Sequence, residues 1–362
     1  MQYRFLGNSG MKVSAIGLGC MSFEPGGADE PTACRMLDRF VAGGGNLLDM
    51  ADNYPGVEEV LGRWLHGRRD RDQLVIGTKA RFPAPPCGPN DVGLTAKHLY
   101  QGIDNSLRQL RLDYIDLYQA HCWDFVTPIE ETVRVFGRLI DSGKIRCWGV
   151  SNYSGWHVAR VAAAADKLGV PRPVSLQEQY SLLCRSPEWE VVPACLDAGV
   201  SLTAWSPLAA GWLSGKYRRD ALPPEGSRMA RAARTLDEWK RFSQSRTGST
   251  VPHPHAIESE EQFQKVAAEQ ESERRWRIVD AVRQVADQHQ RSCSQVALGW
   301  LLTRPAMAAV IIGARTLGQF DDNAGAITLT LSADEIRWLD TISDPGRPYP
   351  LDFFDQYGIP WR

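Results

Sequence analysis

Eight short, almost unbroken apolar runs punctuate the chain, at residues 15–19, 46–50, 73–79, 114–121, 145–152, 174–180, 200–208 and 308–314. Runs this continuous are expected of strands covered on both faces in a parallel sheet. Between them, apolar positions recur with helical spacing over 30–41, 58–66, 95–110, 128–141, 155–168, 188–198, 276–289, 294–303 and 316–326, with a last helix at 332–342. Gly43-Gly44-Gly45 and Ser142-Gly143 read as helix stops. A strand-to-helix alternation repeated eight times predicts an α/β chain folded as a (β/α)8 TIM barrel. Residues 3–13, with Gly7-Asn-Ser-Gly10 as turn, predict a β-hairpin ahead of it. An open, doubly wound sheet is disfavoured, because Gly17-Leu-Gly19 stops short of the G-x-G-x-x-G fingerprint.

The rhythm breaks over 218–273, a charged stretch with prolines at 223, 224, 252 and 254, read as a long insertion after the seventh barrel strand. Ser259-Glu-Glu-Gln262 has capping-box spacing and predicts a helix over 259–270. Loops of this length are active-site lids or solvated excursions, and both readings stand. With 344–362 as a C-terminal tail, residues 1–362 read as one barrel domain.

Composition changes this picture little: 43% hydrophobic and 23% charged residues are ordinary for a globular chain. A net charge of −2 predicts no nucleic-acid or membrane-surface partner. No apolar run is long enough to span a bilayer, and the first residues carry no apolar signal core, so a cytoplasmic protein is expected. Eight cysteines without a C-x-x-C pair predict reduced thiols. No metal site is predicted, since zinc spacing is absent and His253 and His255 merely flank a proline. The oligomeric state is not encoded in any pattern found.

The candidate chemistry lies at strand ends, where barrels of this kind place their active sites. Asp49, Lys79 and His121 each close an apolar run, and Tyr54 follows the second. A free phenol titrates near pKa ~10, and a nearby ammonium favours its ionisation. Asp49 would supply the counter-charge that a buried Lys79 needs. His121 could hold a carbonyl oxygen, which makes the four a proton donor suited to quenching an alkoxide during hydride reduction. Each residue type alone has an ordinary structural role; their convergence argues for chemistry. A hydrolase with paired carboxylates (Asp49 and Asp124) would leave Lys79, Tyr54 and Arg315 without a part. Phe23, Phe82 and Trp123 stand just past strand ends and suggest an apolar, partly aromatic mouth, with Tyr54 and His121 also touching substrate. Aromatic or medium-chain aldehydes are therefore expected to be better substrates than small polar sugars.

Four blocks, Asp49-Met-Ala-Asp-Asn-Tyr54, Val75-Ile-Gly-Thr-Lys79, Asp113-Tyr-Ile-Asp-Leu-Tyr-Gln-Ala-His121 and Gly143-Lys-Ile-Arg-Cys-Trp-Gly-Val-Ser-Asn152, resemble in order the signature blocks of the aldo-keto reductase superfamily. The resemblance runs from about residue 3 to residue 340, with 218–273 departing from it. It implies a barrel with Tyr54 as general acid, tuned by Lys79 and Asp49, and His121 orienting the carbonyl. One departure is a contracted Tyr54-Pro-Gly-Val-Glu58 loop, expected to alter the pocket rim.

The resemblance also implies a nicotinamide cofactor. Ser151, Asn152 and Gln177 would meet its carboxamide, Trp205 would stack on the ring, and Ser206, Leu208, Gly215 and Lys216 would follow the pyrophosphate. Trp205 could equally be a core aromatic. Gly19, Met21 and Asp49 complete the implied cofactor contacts, with Gly313 and Ala314 at the far end. Gly313-Ala-Arg-Thr316 opens a helix, whose N-terminus is a ready anion site, and Arg315 adds a planar guanidinium. Gln319, Asp322 and Asn323 fall on the same helical face as Arg315. By resemblance this face takes the adenine and the 2′-phosphate, so NADPH/NADP+ is expected rather than NADH, although Arg315 also fits a capped surface helix. A nucleotide-binding regulatory subunit with slow or no turnover is the alternative.

Overall fold

A short antiparallel pair, β1 (Tyr3–Phe5) and β2 (Lys12–Ser14), precedes eight parallel strands. These are β3 (Ile16–Gly19), β4 (Leu47–Asp49), β5 (Val75–Ala80), β6 (Ile115–Ala120), β7 (Ile145–Ser151), β8 (Ser175–Gln179), β9 (Ser201–Trp205) and β10 (Met307–Ile312). They close into a barrel in the order β10-β3-β4-β5-β6-β7-β8-β9, so the (β/α)8 architecture and the leading hairpin are both present. This computed structural model describes residues 1–83, 88–219, 273–357 and isolated positions between 221 and 230. The expected helix at 259–270 lies outside the described residues.

Helices α1 (Glu30–Ala42), α2 (Val57–Leu65), α3 (Ala96–Leu110), α4 (Ile129–Asp141), α5 (Gly155–Leu168) and α6 (Val191–Ala198) alternate with the strands. After β9 the described chain continues with α7 (Glu273–His289) and α8 (Cys293–Leu302), then α9 (Leu317–Ala324), α10 (Ala333–Ser343) and α11 (Leu351–Tyr357) around and beyond β10. Side-chain caps fix several starts: Asp29 accepts from the Thr32 N–H at 2.9 Å, and Ser332 and Glu335 form a reciprocal capping box. Gly169 and Gly199 end α5 and α6 in the left-handed region, at φ 66° and 68°, where a Cβ would be strained.

Of the boundaries that differ from the sequence pattern, two have a plain local reason. The seventh barrel strand ends at Trp205, because Ser206 turns left-handed at φ 53°. The helix expected from residue 188 starts at Val191, after a separate 3-10 turn over Ser186–Glu188 that contains Pro187.

Alternation along the strands sorts the barrel interior into layers. At the lower end, Leu47, Val75, Leu117, Cys147, Ala309 and Ile311 pack with Leu6 and Val13 of the hairpin into one buried apolar cluster. The hairpin thus floors the barrel. Two residues further along β4 and β6, and four along β5, the same inward face carries Asp49, Gln119 and Lys79. Between strands and helices lies the main core, which includes Trp148, Trp300 and Phe136. Among the described residues no helix is long and apolar enough to cross a membrane.

Candidate active site

β4 delivers Asp49 and β5 delivers Lys79, neighbours across the ladder because Asp49 pairs with Gly77 two residues below the lysine. The Lys79 ammonium donates to both Asp49 carboxylate oxygens and to the Met50 carbonyl, each at 2.8 Å. Its side chain is 0% exposed and that of Asp49 8%. A cation so enclosed needs three acceptors of this kind, and it has them. Asp49 is held further by Gln177 Nε2 at 2.7 Å and by Gln119 Nε2 at 3.5 Å.

The loop leaving β4 brings Tyr54 back over this pair. Its turn is pinned by the Asp52 N–H donating to the Lys79 carbonyl and the Tyr54 N–H donating to the Ala51 carbonyl. The ammonium lies 5.8 Å from the centre of the Tyr54 ring. His121, directly after β6, is anchored by its N–H on the Ala80 carbonyl, and its ring meets the edge of Tyr54 at 6.0 Å between centroids. Asp49, Lys79, Tyr54 and His121 therefore converge at the C-terminal mouth of the barrel. Behind them, burial and the neighbouring Glu58 push the Asp52 carboxyl well above the usual carboxylate range. Glu58, which accepts from Thr78 Oγ1 at 2.6 Å, is also raised, chiefly by burial.

The predicted substrate side chains are placed unequally. Phe82 packs edge-on against His121 at 4.9 Å. Trp123 is buried and stacks on His157 at 4.1 Å, and Phe23 is buried in the main core. Two residues that pattern reading passed over also belong to this region. Gln119 sits on the inward face of β6, two residues before His121. Arg81 follows directly after β5, two residues past Lys79. Its Nε donates to the Trp123 carbonyl at 3.2 Å, and its guanidinium lies 5.0 Å over Phe82. The available signal was a spacing of two from a residue already named, Lys79 or His121.

Along the other half of the rim lie the residues expected to meet a dinucleotide. Ser151 ends β7, and Asn152 is left-handed at φ 56°. The Asn152 amide is fixed on both ends: Nδ2 donates to the His121 carbonyl at 2.9 Å, and Oδ1 accepts from Trp205 Nε1 at 3.1 Å. That one bridge ties the ends of β7 and β9 to the histidine. After β9, Ser206, Ala209, Ala210, Gly211 and Gly215 all have positive φ, so the chain curls tightly past Leu208. Lys216 folds back over this curl, close enough that a Cβ on Gly211 would lie 2.5 Å from its ammonium. Beside Gly215 opens a hollow of about 350 Å³ lined by Arg218, Arg219, Trp276, Asp280 and Arg283. Gly19 pairs with Asp49 across β3 and β4, and Met21 follows in a 3-10 turn.

Past β10, Gly313, Ala314 and Arg315 lead into α9, whose cap Thr316 accepts from the Gln319 N–H. Gln319 Oε1 accepts in turn from the Arg315 N–H at 3.0 Å. Asp322 turns its carboxylate to Ser292 Oγ at 2.9 Å, and Asn323 donates to the Gly313 carbonyl at 3.4 Å. These donors suit a dinucleotide: amides and an indole at one end, a lysine over a tight backbone curl between, and a capped helix with an arginine at the other. Beside Asn152 a cavity of about 510 Å³ is lined by Glu178, Trp189, Glu190 and tail residues Tyr349 and Pro350. Burial raises the Glu178 carboxyl to about 7. Among the described residues, no three His, Cys, Asp or Glu side chains group to hold a metal ion.

Comparison with known proteins agrees with this geometry. The model of the Aldo/keto reductase family matches residues 15–344. An "Uncharacterized oxidoreductase YrpG" of Bacillus subtilis is 33% identical over 97% of this chain and 98% of its own length. A "Probable voltage-gated potassium channel subunit beta" of Arabidopsis thaliana is also 33% identical, over 90% of this chain and 91% of its own. An "Aryl-alcohol dehydrogenase [NADP(+)]" of Phanerodontia chrysosporium is 29% identical, over 94% and 86%.

Proposed function

The chain belongs to the aldo/keto reductase family, and from that membership we propose that it reduces aldehydes or ketones to alcohols, reversibly, with NADPH as cofactor. The observation that carries this reading is the wholly buried Lys79 ammonium, paired with Asp49 and lying 5.8 Å under the Tyr54 ring. Bound NADPH would supply a hydride to the carbonyl carbon. Tyr54 then gives its phenolic proton to the carbonyl oxygen as charge develops there, and the fixed positive charge of Lys79 favours the phenolate left behind. His121 holds the carbonyl oxygen, while Asp49 keeps the ammonium in place and balanced. Asn152, Ser151 and Gln177 would hold the carboxamide, and Trp205 would cover the ring.

The preference for NADPH rests on Arg315 at the start of α9, and it accords with the name of the aryl-alcohol dehydrogenase [NADP(+)]. A second reading, a nucleotide-binding subunit that turns over slowly or not at all, is favoured by the relatives named as probable potassium channel β subunits. Following NADPH absorbance with and without an aromatic aldehyde separates the two. Consumption supports the reductase, and tight binding without consumption supports the subunit. Within the reductase reading, Tyr54→Phe should lower kcat by about 10²–10⁴-fold while NADPH still binds. A variant as fast as the parent would remove Tyr54 from its role.

A further inference from the structure

The arginine two residues past Lys79 has a property that proton transfer does not use. Among the described residues, Arg81 spends only Nε on the protein, at the Trp123 carbonyl, and its two Nη groups meet no acceptor. It makes no ion pair with any described carboxylate. The nearest candidate in sequence, Asp124, is already committed to Thr127 Oγ1 at 2.6 Å, the Leu94 N–H at 2.8 Å and the Val126 N–H at 2.9 Å. Arg81 is half-buried, and its charge is strong enough at this point to oppose the rise of the Cys122 and Tyr153 pKa values that burial causes.

Its placement is fixed rather than floppy. The Nε bond holds one edge of the guanidinium, and the Phe82 ring lies 5.0 Å from the guanidinium carbon. Phe82 in turn meets His121 edge-on at 4.9 Å. A cation is therefore held two short steps from the imidazole that would orient the carbonyl, with an aromatic wall between them. A planar guanidinium whose two Nη groups meet no acceptor among the described residues is a donor fork that matches a carboxylate bidentately.

Resting on the carbonyl-reductase reading, we propose that Arg81 is a substrate anchor, and that the preferred substrates are aldehydes carrying a carboxylate about one aromatic ring away from the carbonyl. Arg81 grips the carboxylate, Phe82 lies along the connecting ring, and His121 and Tyr54 receive the carbonyl oxygen. The anchor touches no reacting atom. Its contribution is to binding and register, so it appears in KM and in selectivity.

The test compares 4-formylbenzoate with its methyl ester, which have the same ring and aldehyde and differ in charge. The parent should favour the acid, and Arg81→Gln should cut the acid-to-ester ratio of kcat/KM by about tenfold or more, mostly through KM. Arg81→Lys keeps the charge without the Nε geometry and should retain part of the preference, which a purely structural arginine would not do. Binding of benzoate to the NADPH-loaded protein, by calorimetry, is the second readout: Arg81→Gln should weaken it. If the ester is reduced as well as the acid, or if Arg81→Gln lowers both alike and leaves benzoate binding unchanged, the anchor is wrong while the reductase stands. If no aldehyde is consumed, the reductase reading fails, and benzoate binding alone then decides whether Arg81 is an anion site.

Discussion

At the scale of single residues, the site is a problem in burying charge. Lys79 is fully enclosed, and three acceptors at 2.8 Å hold it: both oxygens of Asp49 and the Met50 carbonyl. Removing one member of a buried pair leaves the other charge uncompensated, at a cost of about 3–5 kcal/mol. Asp49→Ala should therefore lower unfolding stability by about that amount in urea titration, beyond its effect on turnover, and leave Gln177 Nε2 without its acceptor. A variant as stable as the parent would mean that the ammonium finds other acceptors or deprotonates. On the proposed mechanism the pair serves folding and chemistry together, since the contacts that make a buried cation tolerable also place it beneath Tyr54.

At the scale of elements, the proposed preference for NADPH falls to helix α9. Its eight residues start at a side-chain cap, with Arg315 just outside. Arg315→Ala should erase most of the preference of NADPH over NADH in kcat/KM while leaving the NADH value close to the parent's; an unchanged ratio would place the 2′-phosphate elsewhere. Strand and helix identity were legible because each buried strand is nearly continuous in apolar residues and several helices begin at a capping side chain or end at a glycine. Asp49, Lys79 and His121 were legible as polar residues closing such runs. What could not be read depended on contacts between distant segments. Spacing places Asp322 on the face of Arg315, yet its carboxylate bonds Ser292 at the start of α8. Gln119 and Arg81 each stand two residues from a named residue, but their bonds to Asp49 and to the Trp123 carbonyl join segments distant in sequence. Ser206-Pro207 could be read as a strand end, and Ser206 does end it, through a left-handed backbone turn.

At the scale of the molecule, several acidic groups oppose high pH. Glu178 stands at about 7 in the fold, above its ordinary value of 4.5, because it is buried. The folded chain thus holds this proton where the unfolded chain has lost it. Its favourable contribution is complete below about pH 4.5 and gone above about pH 7. Asp52, Glu58 and Asp116, all raised by burial, act in the same direction. Glu178→Gln should gain on the parent by roughly 2–3 kcal/mol between pH 5 and pH 8, read as diverging Tm values, and match it in acid. Parallel curves across that range would mean Glu178 titrates normally. The floor of the barrel has a further consequence. Arg4 of the hairpin donates to the carbonyls of Met307, at 2.8 Å, and Leu302, at 2.9 Å, and β3 needs β10 as its neighbour. The hairpin and β3 can settle only once residues 302–312 are in place, because loop closure across such a separation yields nothing until both segments exist. A nascent chain halted before β10 would leave the hairpin without its seat and β3 with an open edge. The hairpin and β10, about 300 residues apart in sequence, therefore work as a clasp, and deleting either one should unfasten the same ring.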